Sequence, residues 1–204
     1  MPKRLLRKFY CQPTLKVAQE LLGKYLVRQI GQKKLVGKIV ETEAYIGPQD
    51  KASHAYQGKA TARNRAEYLI GGHIYIYLVY GMYWQMNIST SMAGKPECVL
   101  IRALEPIGVR PLGRDKSLLK GRTPDRILKL ANGPGKLCRW LKLDKSFYAE
   151  DLTKSKKIWL ENGEKILPRQ ITATKRIGID YAGPYWSNKK WRFYIKGNKF
   201  VSVK

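Results

Sequence analysis

The stretch 74-IYIYLVYGMYWQMNIST-90 has the two-residue alternation of β-strands, broken once at Tyr80-Gly81-Met82. Side chains alternate faces along a strand, so Tyr75 and Tyr77 share one face while Ile74, Ile76 and Leu78 take the other. Tyr80 then falls at the strand end, pointing off the tip of a hairpin. The stretch 83–90 is predicted to return antiparallel. A third strand, 98–104, follows the turn Gly94-Lys95-Pro96 and completes a meander.

Upstream, 37-GKIVETEAYIGPQDKASHAYQG-58 places carboxylates inside an apolar strand. Glu41, Glu43 and Tyr45 lie on one face, with Val40, Thr42 and Ala44 on the other. Neighbours on that face are roughly 7 Å apart, which sets a carboxylate beside an aromatic plate. An unpaired buried charge is costly, so two acids in such a strand point to a network or a site. Strands 25–30 and 35–45 are predicted to form a hairpin through residues 31–34, and Gly47-Pro48-Gln49-Asp50 ends the second. Residues 51–72 show no period; they read as a long loop with a helical turn near 65–69, holding His54 and the cluster Thr61, Arg63, Asn64 and Arg65. Long ordered loops on a compact body are disproportionately functional.

An amphipathic helix is predicted over 13–22, with Pro13 near its start and Gly23 past its end. Beyond breaks at Pro106 and Pro111, helices are predicted over 124–130 and 134–141. Asn162-Gly163 predicts a hairpin of 157–160 with 164–167, and Gly197-Asn198 a last one of 191–195 with 200–203. The expected fold is α+β: a single domain over 1–204, with a curved mixed or antiparallel sheet flanked by helices and one protruding β-hairpin.

Forty Lys and Arg against fifteen Asp and Glu give a formal charge of +25, which favours a polyanionic partner. These residues are spread from Lys3 to Lys204, as on a charged face of a folded body, and that favours duplex nucleic acid over a disordered arm. No apolar run approaches the roughly 18 residues of a membrane span, and no basic amphipathic helix of useful length is present. The stretch 1–13 is basic without an apolar signal region. A soluble, intracellular protein without a membrane partner is expected. Cys11, Cys98 and Cys138 are too scattered for a disulfide framework and read as buried free thiols. With only His54 and His73 there is no metal-ligand spacing, so neither metal nor cofactor is expected.

Acid, tyrosines, a histidine and an arginine on neighbouring strands of a basic protein suit one chemistry. Aromatic faces hold a nucleobase taken out of the stack, and a carboxylate at the sugar end activates water to cut the N-glycosidic bond. A cationic, alkylated purine gains a cation–π attraction of about 0.5–2 kcal/mol on such rings. Residues alone leave Glu41 and Glu43 equivalent. A non-catalytic binder would keep the charge and the wedge but have no use for acid and arginine; an enzyme of free nucleosides would have no use for +25.

The segments ETEAYIGPQDKASH, TARNR, YIYLVYGMYWQMNIS, CVLIRALEP, NGPGKLC, KSF, RIGID and WRFYIKG together resemble the alkyladenine (3-methyladenine) DNA glycosylase family. The resemblance runs from about Leu15 to Val203. It implies a monofunctional, metal-independent base excision repair enzyme, acting as a monomer on duplex DNA that contains damaged purines. Such an enzyme flips 3-methyladenine or 7-methylguanine, with hypoxanthine and ethenoadenine as further candidates, and leaves an abasic site.

Carried over by position, the resemblance makes Glu43 the general base and Arg102 its partner in holding the attacking water, with Glu41 left to an ion-pair network. Tyr45 and His54 would line one side of the flipped base and Tyr77 the other, with Tyr75 in support. Asn87 would sit near the purine edge, where it collides with the 2-amino group of guanine. Tyr80 would enter the minor groove in place of the extruded nucleotide. His73 is left as a turn residue. Gln85 stands where the family often has cysteine, and Ala62 where it has proline; both bear on lesion preference more than on reaction type. The N-terminal tail of some members is expected to be missing.

Overall fold

The alternating apolar strands of this chain find their partners in one sheet. The computed structural model describes residues 3–110 and 123–203. Eight strands are antiparallel throughout: β1 (Tyr25–Ile30), β2 (Lys33–Ile46), β3 (Ile74–Val79), β4 (Tyr83–Ser89), β5 (Glu97–Arg110), β6 (Ile158–Glu161), β7 (Ile171–Thr174) and β8 (Arg192–Ile195). Their order is β3-β4-β5-β2-β1-β6, with β8 on β2 and β7 on β8. The expected meander β3-β4-β5 and the hairpin β1-β2 are both present, so the α+β expectation holds with an antiparallel sheet.

Helices α1 (Arg7–Tyr10), α2 (Thr14–Glu20), α3 (Pro124–Leu128), α4 (Pro134–Leu141) and α5 (Pro184–Ser187) flank the sheet. The α2 helix buries Val17 and Ala18, and Thr42 Oγ1 donates to the Ala18 carbonyl at 2.8 Å. Thr42 thus ties the helix to β2 on the face opposite the acids. Pro134 occupies the first turn of α4, where a missing N–H costs nothing. Leu137, Cys138 and Leu141 then enter a core that includes Leu26, Ile39, Ile74, Met86, Ile88, Ile101 and Leu104. Cys98 and Cys138 are buried, whereas Cys11 is only partly so.

Three local expectations are corrected. The strand expected to stop before Pro106 continues to Arg110, because the register shifts there: Val36 faces Gly108 but Gly37 faces Pro106. A bulge is where a strand tolerates a residue without an N–H. The break expected at Pro111 lies outside the described residues.

Asn162-Gly163 does not turn a hairpin. One side of β6 pairs with β1, and the other is met by the start of the chain, where the Leu5 amide donates to the Leu160 carbonyl and the Asn162 amide to that of Lys3. The place predicted for 164–167 is therefore occupied.

The pair 191–195 with 200–203 fails for the same reason. Strand β8 has β2 on one side and β7 on the other, and Ser202 is left to serve a buried acid instead.

Candidate active site

Strand β2 carries both acids to the middle of the sheet, and both are completely buried. Glu41 Oε1 accepts from Arg102 Nε at 3.1 Å, Arg192 Nε at 2.7 Å and Ser202 Oγ at 2.9 Å, while Oε2 accepts from the Ser202 amide at 2.7 Å. Four donors leave it little capacity for anything else. Glu43 Oε1 accepts from the Ile177 amide at 2.8 Å and lies 3.3 Å from Arg102 Nη1. Among the described residues its Oε2 receives one bond, from the Tyr45 hydroxyl at 2.8 Å, which leaves a lone-pair direction free of them.

Arg102 touches both carboxylates. Burial pulls its pKa down, but Glu43 and Glu41 outweigh that and hold it above its ordinary value. Tyr45, desolvated and bonded to Glu43, has a hydroxyl pushed well up and stays neutral.

Above Glu43 opens a cleft of about 460 Å³ whose wall includes Tyr45, His54, Tyr75, Tyr77, Asn87 and Arg102. Glu43 itself lies one layer down, beneath Tyr45, Arg102 and Ile177. Tyr75 and Tyr77 share the expected face, with ring centroids 5.0 Å apart. His54 meets the edge of Tyr77 at 4.6 Å and 71°, so the two rings touch and do not face each other across a gap. His54 Nδ1 is 2.6 Å from the Tyr75 hydroxyl. Burial and, to a lesser degree, Arg63 lower the His54 pKa.

Asn87 is buried and fixed by its Nδ2 bond to the Tyr75 carbonyl at 3.2 Å. Gln85 accepts from the Tyr77 hydroxyl at 3.2 Å and so orients the ring below it. Tyr80 also borders the cleft, at the tip of β3-β4. It is 86% exposed and has φ of 51°, a left-handed conformation unusual for a bulky residue. His73 is a structural residue, its Nδ1 2.7 Å from the Ile70 carbonyl and its Nε2 4.0 Å from Asp151.

Sequence reading missed three contributors. Arg176 makes a bidentate ion pair with Asp50, both buried, and lies 4.8 Å over the Tyr45 ring. The pair clamps the loop after β2 to the segment that presents the Ile177 amide. Asp50 looked like a turn residue because its partner is 126 positions away. The third is Glu67, on the 3₁₀ turn Arg65–Tyr68, which is 1% exposed in the cleft wall. Burial raises its pKa from 4.5 to about 8, with the nearby Tyr75 hydroxyl opposing the rise.

Residues 8–199 match the methylpurine-DNA glycosylase family. The chain belongs to that family. It is 44% identical over 207 residues to the DNA-3-methyladenine glycosylase of Mus musculus, covering 98% of this chain and 61% of the mouse protein. With the Homo sapiens protein of the same name it is 42% identical over 207 residues, covering 98% and 68%. It is 46% identical over 205 residues to a Desulfitobacterium hafniense protein named for 3-methyladenine DNA glycosylase activity, covering 99% and 100%. Membership makes the chain an enzyme of DNA repair, a DNA glycosylase. Among the described residues, no helix is long and apolar enough to cross a membrane.

Proposed function

We propose that this chain, acting as a monomer, takes an alkylated purine out of duplex DNA into the cleft and hydrolyses its N-glycosidic bond with a water activated by Glu43. The observation that carries this reading is the contrast in occupancy between the acids. Glu41 is saturated by four donors, whereas Glu43 keeps one lone-pair direction beside Arg102, directly under an aromatic cleft.

The base stacks on the open face of Tyr77, with His54 along its rim. Tyr45 borders the sugar end, where its hydroxyl fixes Oε2. A water admitted with the substrate gives its proton to Glu43 as its oxygen bonds to the sugar C1′ and the C1′–N bond breaks. The bonding electrons leave with the purine. An N3- or N7-alkylated purine carries a positive charge that this departure neutralises, so no acid is needed for it. Among the described residues no lysine lines the wall as an amine nucleophile, and the product is an abasic site with both strands intact. Asn87 faces the purine edge and disfavours guanine. Tyr80 fills the gap left in the duplex, and the +25 charge supplies sequence-independent phosphate contacts whose affinity falls steeply with salt.

Base release tests the chemistry. Wild type frees base from methylated duplex DNA, and Glu43→Gln lowers the single-turnover rate by about 10²–10⁴ while still binding the lesion duplex. Tight binding without release by wild type would show a binder instead. Tyr80→Ala tests the wedge: affinity for a lesion duplex drops and the rate at saturation survives in part. Unchanged binding together with an unchanged rate would remove Tyr80 from that role.

A further inference from the structure

Arg176 lies behind the wall of the cleft without lining it. Its side chain is completely buried, and its guanidinium is 4.8 Å from the centroid of the Tyr45 ring and 5.1 Å from that of Trp191. Tyr45 does line the cleft, so its ring stands between that cation and the space open to a substrate. A bare guanidinium there would spoil the ring as a surface for positive charge. It would take up the attraction of the ring from behind and repel a second cation in front, in surroundings that screen little.

Asp50 cancels that charge. Its side chain is also completely buried, and its two oxygens accept from Arg176 Nη1 and, at 2.9 Å, from Nη2. The acid is held independently of Arg176 as well, since Oδ1 accepts from the Ala52 amide at 3.0 Å and Oδ2 from the Ile46 amide at 3.4 Å. Arg176 Nη1 donates further to the Ala44 carbonyl at 3.0 Å, and Nε has no hydrogen-bond partner among the described residues. Beside this pair, Glu41 and Glu43 meet Arg102 and Arg192. Within these six groups the charges balance, although the chain as a whole carries a formal +25.

We propose that Asp50 sets the charge preference of the site: by cancelling Arg176 behind the Tyr45 ring, it lets the cleft hold a positively charged nucleotide. The inference rests on the reading of this cleft as the pocket for a flipped nucleotide. The class of ligand it selects is a cation, either the alkylated purine itself or the sugar that becomes positive as the C1′–N bond breaks. Asp50 reaches neither directly; it acts through Arg176 and the ring, as a specificity-determining residue.

Charge and mere support predict different results, because the pair can be opened from either side. Removing the carboxylate leaves a bare cation behind the ring. Removing the guanidinium leaves a bare anion, which stays ionised on its two amide donors. Removing both charges leaves neither, and two side-chain amides can still bond to each other. A pair that only held the loop in place would shift every ligand in the same direction whichever side was removed.

The test compares equilibrium binding of two duplexes that differ at one nucleotide, where one carries a pyrrolidine ring, protonated at neutral pH, and the other its neutral counterpart tetrahydrofuran. The ratio of the two affinities cancels effects common to both duplexes. Relative to wild type, the preference for the cation falls about tenfold in Asp50→Asn, rises about threefold in Arg176→Gln, and returns to within about twofold when both substitutions are combined. A change in the same direction in both single variants, or an Asp50→Asn ratio equal to that of wild type, would overturn the proposal. If circular dichroism shows that Asp50→Asn does not fold, Arg176→Gln is compared with the double variant, and equal ratios in those two overturn it. Base release by wild type from methylated duplex DNA is measured alongside. Its absence from any lesion duplex would sink the glycosylase reading and this inference with it, whereas release with unchanged ratios would sink the inference alone.

Discussion

Glu41 and Glu43 sit two residues apart on one strand, point to one face and are both completely buried, yet their surroundings differ in kind. Around Glu41 the donors come from β5, β8 and the segment after it, and together they occupy both oxygens of that carboxylate, although Arg102 is shared with Glu43. Around Glu43 they come from its own strand, from Arg102 and from the Ile177 amide, and one oxygen is left partly open. A buried acid surrounded by donors closes a structure; the same acid with one direction left open under a cleft can do work on a substrate. What distinguishes them is the count and source of donors, which strand periodicity does not contain.

The strongest way to break this comparison is to exchange the two phenotypes. Glu43→Gln should remove base release while leaving the melting temperature close to that of wild type. Glu41→Ala should do the reverse: it strands Arg192 and part of Arg102 in a buried site, at a cost of about 3–5 kcal/mol in unfolding free energy. Denaturant unfolding followed by fluorescence measures that loss. If Glu41→Ala were neutral in stability but inactive, the roles assigned to the two acids would have to be interchanged. The smaller effect is Tyr45→Phe, which deletes the hydroxyl that fixes Glu43 Oε2. A hydrogen bond to a charged group is worth about 1.5–3 kcal/mol, so the single-turnover rate should fall roughly tenfold to a hundredfold without loss of duplex binding.

Much of the sheet was legible because β1 and β2, and likewise β3 and β4, are strand-like runs joined by short, glycine-containing turns. The faces of Glu41, Glu43 and Tyr45, and of Tyr75 and Tyr77, followed from the strand period alone. What misled were strong local turn signals next to strands whose edges were already engaged. Asn162-Gly163 has the composition of a hairpin turn, but Lys3 and Leu5 reach the edge of β6 from the other end of the sequence. Ser202 looked like the middle of an edge strand and is instead a ligand of Glu41. Selecting Glu43 over Glu41 needed the family resemblance, since no local property separates them. Glu67 escaped because a glutamate in an aperiodic loop reads as solvated; only the packing of Tyr75 and Cys98 against its turn makes it a buried acid.

The pairing of Ser202 with Glu41 also has a consequence in time. Glu41 is synthesised early, whereas its serine partner stands 161 positions later and Arg192 151 positions later. At translation rates of about 5–20 residues per second, the carboxylate waits roughly 8–30 s before both exist. Throughout that interval the central strand carries an acid that cannot be closed into an apolar sheet. In order of synthesis β8 and the segment after it come late, so the donors that close the central strand around Glu41 are among the later parts of the sheet to be made.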